Sequence, residues 1–291
     1  MRLMPLQKLI LFSGLLLALA SSGPTNCLAQ ETKKLTPEEV IASHLESIGT
    51  AEAPSAFKSL VAQGEVLVTM RVGGSGKAKG GAVMASQGPM SLIGLIFGPQ
   101  EYSNEKIAFN GQKLTVGDSK PGVRTRFGNF LQTHDVVFRE GLLGGTLSTA
   151  WPFLNMNWQK AKIRSAGTKN LNDRKAYVLS YETRSGGNLD IKLYFDTETF
   201  QHLRTEYQQE FVAPTVTNPD KAARQKGTRF KLTEEFSDFR REGSVVLPHT
   251  YKIQLTIDTE SYPLLQDWVV TLTQFVFNKT LDAKQFDLTA Q

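Results

Sequence analysis

Tyr251, Ile253, Leu255 and Ile257 alternate with Lys252, Gln254, Thr256 and Asp258. A period of two puts the first set on one face of an extended strand and the second on the other. The same period runs through Val66, Val68, Met70 and Val72, and again through Ile191, Leu193 and Phe195. Strands of this kind must bury one face, and they recur along most of the chain. The sequence therefore calls for an antiparallel sheet with one dry face and one wet face.

Turn chemistry separates the strands. Gly73 to Gly81 (GGSGKAKGG) reads as a flexible turn, and it lacks the spacing of a phosphate-binding loop. Ala82–Ala85 and Leu92–Phe97 follow as strands. Asn110-Gly111 between Ile107–Phe109 and Lys113–Val116 predicts a type I′ hairpin. Tyr177–Thr183 pairs with Leu189–Phe195 across Arg184 to Gly187, and His202–Phe211 is the next strand. Residues 213–227 carry Pro214, Pro219, Lys221, Arg224 and Lys226 and read as a long exposed loop. Phe230, Leu232 and Phe236 share a face with Glu234. Val245 to Pro248 ends a strand run, and Trp268–Phe277 closes the sheet. The count is roughly nine to eleven strands. Their length and single apolar face favour one curled sheet over a sandwich. An incompletely closed sheet leaves an apolar concave face that something must fill.

Residues 117–155 break the period. Gly128–Thr133, Asp135–Glu140 and Thr146–Trp151 read as short helices between glycines. The segment Phe138 to Leu154 is apolar, carries Gly141, Gly144 and Gly145, and has no charge after Glu140. It is either buried core or a glycine-hinged cover over an apolar cavity.

The N-terminal region has two parts. Arg2 and Lys8, the apolar run Leu9 to Ala20 and the ending Cys27-Leu28-Ala29 follow the order of a secretory signal, with cleavage expected after Ala29 and Ala20 as second choice. Pro24-Thr25-Asn26 fits badly before a lipid-modified Cys27, so a lipid anchor is not expected. Residues 30–291 then form a single domain with no cysteine and hence no disulfide framework. Net charge falls from +5 to +3 once Arg2 and Lys8 are removed, which does not point to nucleic acid. Thr36-Pro37-Glu38-Glu39 is a helix start with a capping box. Val40, Ile41, His44, Leu45 and Ile48 form its apolar face, and Gly49 ends it.

Catalytic signals are weak. His44, His134, His202 and His249 show no metal-pair spacing, so no metal and no cofactor are expected. No Gly-x-Ser-x-Gly elbow occurs. The acids Asp196, Glu198, Glu206, Glu210, Glu234, Glu235 and Asp238 lie in turns or on strands with no spacing that defines a catalytic pair. The reading is a non-enzyme.

Three stretches carry a family resemblance. "TPEEVIASHLESIGTAEAPSAFKSLVAQGEV" resembles the start of the LolA/LolB-like superfamily of periplasmic lipoprotein-sorting proteins. "LYFDTETFQHLRTEY" (Leu193 to Tyr207) resembles their strand-turn-strand. "REGSVVLPHTYKIQL" and "WVVTLTQFVFNKTLDAKQF" resemble their C-terminal strands, ending in Asn278, Leu281, Asp282 and Phe286. The resemblance covers most of residues 30–291 and rests on no catalytic motif. It implies a mainly β (α+β) fold: an open, strongly curved antiparallel half-barrel whose concave face is covered by helices. It also implies a periplasmic lipid or acyl-chain binder that transfers cargo without chemistry. The expected partners are a lipid or acylated protein and a membrane-bound donor or acceptor, with the chain itself a monomer. The alternative is an envelope regulatory protein of the same fold that binds another protein. Candidate cover residues are Phe138, Leu142, Leu143, Trp151 and Phe153. Candidate inner-face residues are Leu193, Phe195, Ile253 and Leu255.

Overall fold

The computed structural model describes residues 34–49, 58–98, 102–155, 157–211, 227–259 and 263–290. The N-terminal stretch expected to be a signal, with Cys27, and nearly all of the 213–227 loop lie outside the described residues.

α1 (Pro37–Ile48) starts as its sequence requires. Thr36 accepts from the Glu39 amide, and the Glu39 side chain accepts from the Thr36 amide. Twelve strands follow: β1 (Ser59–Val72), β2 (Gly76–Gln87), β3 (Met90–Phe97), β4 (Glu105–Phe109), β5 (Leu114–Val116), β6 (Lys162–Leu171), β7 (Arg174–Glu182), β8 (Asp190–Asp196), β9 (His202–Phe211), β10 (Thr228–Glu242), β11 (Val245–Asp258) and β12 (Leu264–Phe277). They form one antiparallel sheet in the order β5-β4-β3-β2-β1-β12-β11-β10-β9-β8-β7-β6. The sheet is not closed. It is an open, curved half-barrel with few helices.

This order has a simple cause. β1 to β5 meander outward to one edge, β6 to β12 meander back from the other, and β12 joins β1 (Val66 opposite Val270). The segment between β5 and β6 must therefore travel from one edge of the half-barrel to the other. It contains α2 (Arg126–Thr133), α3 (Val136–Arg139) and short 3-10 turns at Gly145–Leu147, Pro152–Asn155 and Asn157–Lys160. Along this path it fills the concave face. One apolar cluster takes in α1, this crossing segment and the inward residues of nearly every strand.

Several expectations change. The glycine-rich stretch is half strand: β2 begins at Gly76, and its small residues lie against β1 and β3. β6 shows little period because eight of its first nine residues are exposed on the sheet edge around a bulge at Ser165/Thr168. Pro248 lies inside β11, which is tolerated because pairing with β12 begins only at Thr250. β12 does not close the sheet at an edge; it sits at the centre, between β1 and β11. The β4–β5 turn also differs. Gly111 has positive φ and Asn110 does not, while Asn110 pairs with Lys113. Glycine at the first central position is the type II′ pattern.

Candidate functional site: the crossing segment over the concave face

The nine residues singled out in the sequence occupy one cluster. Phe138, Leu142, Leu143, Trp151 and Phe153 of the crossing segment are 0–5% exposed, and so are Leu193 and Phe195 of β8 and Ile253 and Leu255 of β11. Phe153 meets Phe195 at 6.1 Å between ring centres and Trp151 at 4.9 Å. Phe138 turns instead to Phe109 of β4, at 6.2 Å. In this structure the segment Phe138 to Leu154 is core.

Polar contacts fasten the segment at intervals, and the sequence reading did not assign them. At its start, the Thr125 hydroxyl donates to Glu105 of β4 at 2.6 Å, and Tyr102 donates to the same carboxyl at 3.0 Å. Past α3, Glu140 accepts from the Tyr181 hydroxyl at 2.9 Å and from Arg184 Nε at 2.8 Å. At the glycine pair, the Gly144 amide donates to Glu234 of β10 at 2.7 Å. Tyr207 of β9 and Tyr251 of β11 donate to the same carboxyl. The Thr149 amide donates to Ser86 of β2. Trp151 Nε1 donates to His44 Nε2 of α1 at 3.2 Å.

These groups titrate unusually. Burial pushes Glu234 up from 4.5 to about 7, against the pull of its three donors. Burial likewise raises Glu105 to about 7. His44 goes the other way, down to about 4, because burial disfavours the imidazolium. His202, stacked 4.7 Å from Trp151, is lowered by burial and by His44. Both histidines are therefore neutral at pH 7. His44 Nε2 accepts from Trp151, so its proton sits on Nδ1 and is donated to the Phe200 carbonyl at 3.0 Å.

One signal for Glu234 was visible. It stands at the inward period of β10 with Leu232 and Phe236, an acid on an apolar face. Its tyrosine donors come from two other strands, and no local pattern reveals them. Of the acids considered for chemistry, Glu235, next to Glu234 in sequence, points to the opposite side, where Arg204 and Lys252 hold it.

The core opens at one rim. A groove of about 320 Å³ lies between α2 and the ends of β9, β10 and β11. Phe130, Phe211, Phe230 and Ile257 form its apolar wall, and Phe130 and Ile257 also belong to the concave core. Gln209 lines it with a buried carbonyl oxygen that has no hydrogen-bond partner among the described residues. Burial holds the pKa of the neighbouring His134 below its ordinary value, against the opposing pull of the Gln209 amide and of Asp135. Among the described residues no group of three or more His, Cys, Asp or Glu is placed to hold a metal.

No protein-family model matches this sequence, and no curated protein matches it either. Solved structures do. A LolA superfamily protein from Nitrosomonas europaea aligns over 88% of this chain and 100% of its own, at 11% identity and a TM-score of 0.44. A DUF1329 family protein from Desulfovibrio piger aligns over 87% and 98%, at 8% identity and 0.47. An outer-membrane lipoprotein-sorting protein domain from Vibrio parahaemolyticus aligns over 87% and 97%, at 9% identity and 0.39. The likeness is one of fold.

Proposed function

We propose that this protein is an exported, periplasmic carrier that binds a lipid acyl chain and hands it on without chemistry. The observation behind the reading is the groove at the α2 rim. It is apolar and open to solvent, and it is continuous with a core that a separate segment, rather than the sheet itself, fills. A chain entering there displaces part of the crossing segment and takes over its contacts. Burial gains about 0.8 kcal/mol per methylene, so a single chain supplies enough energy to compete for the concave face. The Gln209 amide, with His134 beside it, suits cargo that carries a polar head next to the chain, such as the N–H of an acylated amine. Release then requires a membrane-bound donor or acceptor that shifts the balance between covered and loaded states. The carrier acts as a monomer.

The test is binding of an N-acylated amino-acid probe with a long chain. Thr133→Trp places a large ring in the groove from an exposed position, and Gln209→Leu removes the carbonyl. Both should weaken the probe at least about tenfold, which is roughly 1.4 kcal/mol. Unchanged affinity in both variants contradicts entry at this rim.

A second reading has its own observation. The concave face is already filled by the protein's own side chains, and β6 presents a ten-residue edge. A regulatory module that pairs this edge with an extended partner would need no cavity. It predicts no bound lipid and loss of partner binding when a proline replaces Ser165.

A further inference from the structure

The opposite face of the sheet carries a second cavity. After β12 the chain runs across the convex side of β1 to β5 and is pinned there. The Asn278 amide donates to the Ser59 carbonyl, the Leu281 amide to Gln87 at 3.0 Å and the Leu288 amide to Thr115 at 3.1 Å, while Phe286 is fully buried. Between this strap and the strands lies a trough of about 420 Å³. Its floor is aliphatic: Val61, Val83, Ala85, Leu92 and Ile96, deepened by the missing side chain of Gly94. Ile96 is 41% exposed, a large apolar side chain left to solvent.

Two features select the occupant. Lys106 and Lys279 line the trough, and the lysine ion pairs among the described residues are made by Lys162, Lys192, Lys231 and Lys252 instead. The floor strands are interior to the sheet, each paired on both sides. A peptide laid there would find no free ladder to satisfy its own amides and carbonyls. A chain without a backbone incurs no such cost. We propose that this trough binds a single long-chain fatty-acid anion, with its alkyl chain on the aliphatic floor and its carboxylate on Lys106 and Lys279. The site is separate from the α2 groove and does not depend on the function proposed for it.

The experiment is titration of the delipidated chain with palmitate labelled with ¹³C at the carboxyl, followed by NMR, in four proteins. Wild type should give a bound carboxyl resonance that belongs to the trough, whether or not a second arises from the α2 groove. Lys106→Glu with Lys279→Glu, both at exposed positions, should weaken binding at least about tenfold, since two attractions become repulsions. Ile96→Glu should do the same from the floor. Thr133→Trp, in the other groove, should leave this resonance unchanged. Hexadecanol, which lacks the charge, should not respond to the lysine reversals. The proposal is overturned if wild type shows no bound resonance, if the lysine reversals leave affinity unchanged, or if only Thr133→Trp abolishes the signal.

Discussion

The backbone amide of Gly144 donates a 2.7 Å hydrogen bond to the buried carboxyl of Glu234, joining the turn of the crossing segment to the centre of β10. Among the described residues the acid has no basic partner; Tyr207 and Tyr251 supply its other two hydrogen bonds. Replacing it with alanine strands three buried donors. Glu234→Ala should cost on the order of 3 kcal/mol or more in urea unfolding, at roughly 1–3 kcal/mol for each unsatisfied group with partial relaxation. Glu234→Gln keeps an acceptor for Gly144 and should cost much less.

The same carboxyl makes stability depend on pH. Its pKa is about 7 folded against an ordinary 4.5, so between these values the native state holds a proton that the unfolded chain has released. Its contribution is therefore fully present below pH 4.5 and is lost as pH rises through 7. The stability of wild type minus that of Glu234→Gln should decline across this window, by at most about 1.4 kcal/mol per pH unit. Glu105 adds a slope of the same sign. His44, lowered to about 4, adds the opposite sign: its contribution is present above 6.5 and lost as pH falls through 4. Subtracting the variant removes both. A flat difference would show that Glu234 is not proton-linked to folding.

Trp151 holds the far end of the segment through His44. Trp151→Phe keeps most of the aromatic packing and leaves His44 Nε2 without its donor. Loss of that bond should cost about 1–3 kcal/mol. The His44 Nδ1–H to Phe200 bond should remain, visible as a slowly exchanging ring proton by NMR.

The glycines in this segment are not interchangeable. Gly141 has φ +71, and an added Cβ would sit 1.9 Å from the Ala150 carbonyl oxygen. Gly145 has φ +52 and would bring a Cβ to 2.8 Å from His202 Nδ1, whereas Gly144, at φ +83, meets only the flexible end of Met84 at 3.2 Å. Thermal unfolding should therefore rank alanine variants Gly141 worst, then Gly145, then Gly144, the last near the backbone cost of about 1–2 kcal/mol alone. It follows that alanine at Gly144 and Gly145 perturbs packing whether or not the segment hinges.

What the sequence discloses follows physical range. The α1 capping box and the inward periods of β8, β10 and β11 are local, and Thr36, Leu193, Leu232 and Ile253 stand where those patterns put them. β6 escaped because edge strands need no dry face, and Pro248 misled because the pairing of β11 with β12 begins only at Thr250, past the proline. The crossing path was legible as apolar and glycine-broken, but its fastenings join Glu234 to Tyr207, Tyr251 and Gly144, and Trp151 to His44. These pairs are up to 107 positions apart, and only folding brings them together. The convex trough depends on where the strap after β12 lies, which no periodicity encodes.

The most direct test of the carrier account is mass spectrometry of an organic extract from the chain purified from the periplasm without detergent. The account predicts an acylated lipid or lipopeptide at close to one per chain, reduced in Thr133→Trp. Wild-type protein that yields no lipid, even after incubation with membranes, would contradict it and leave the crossing segment as permanent core.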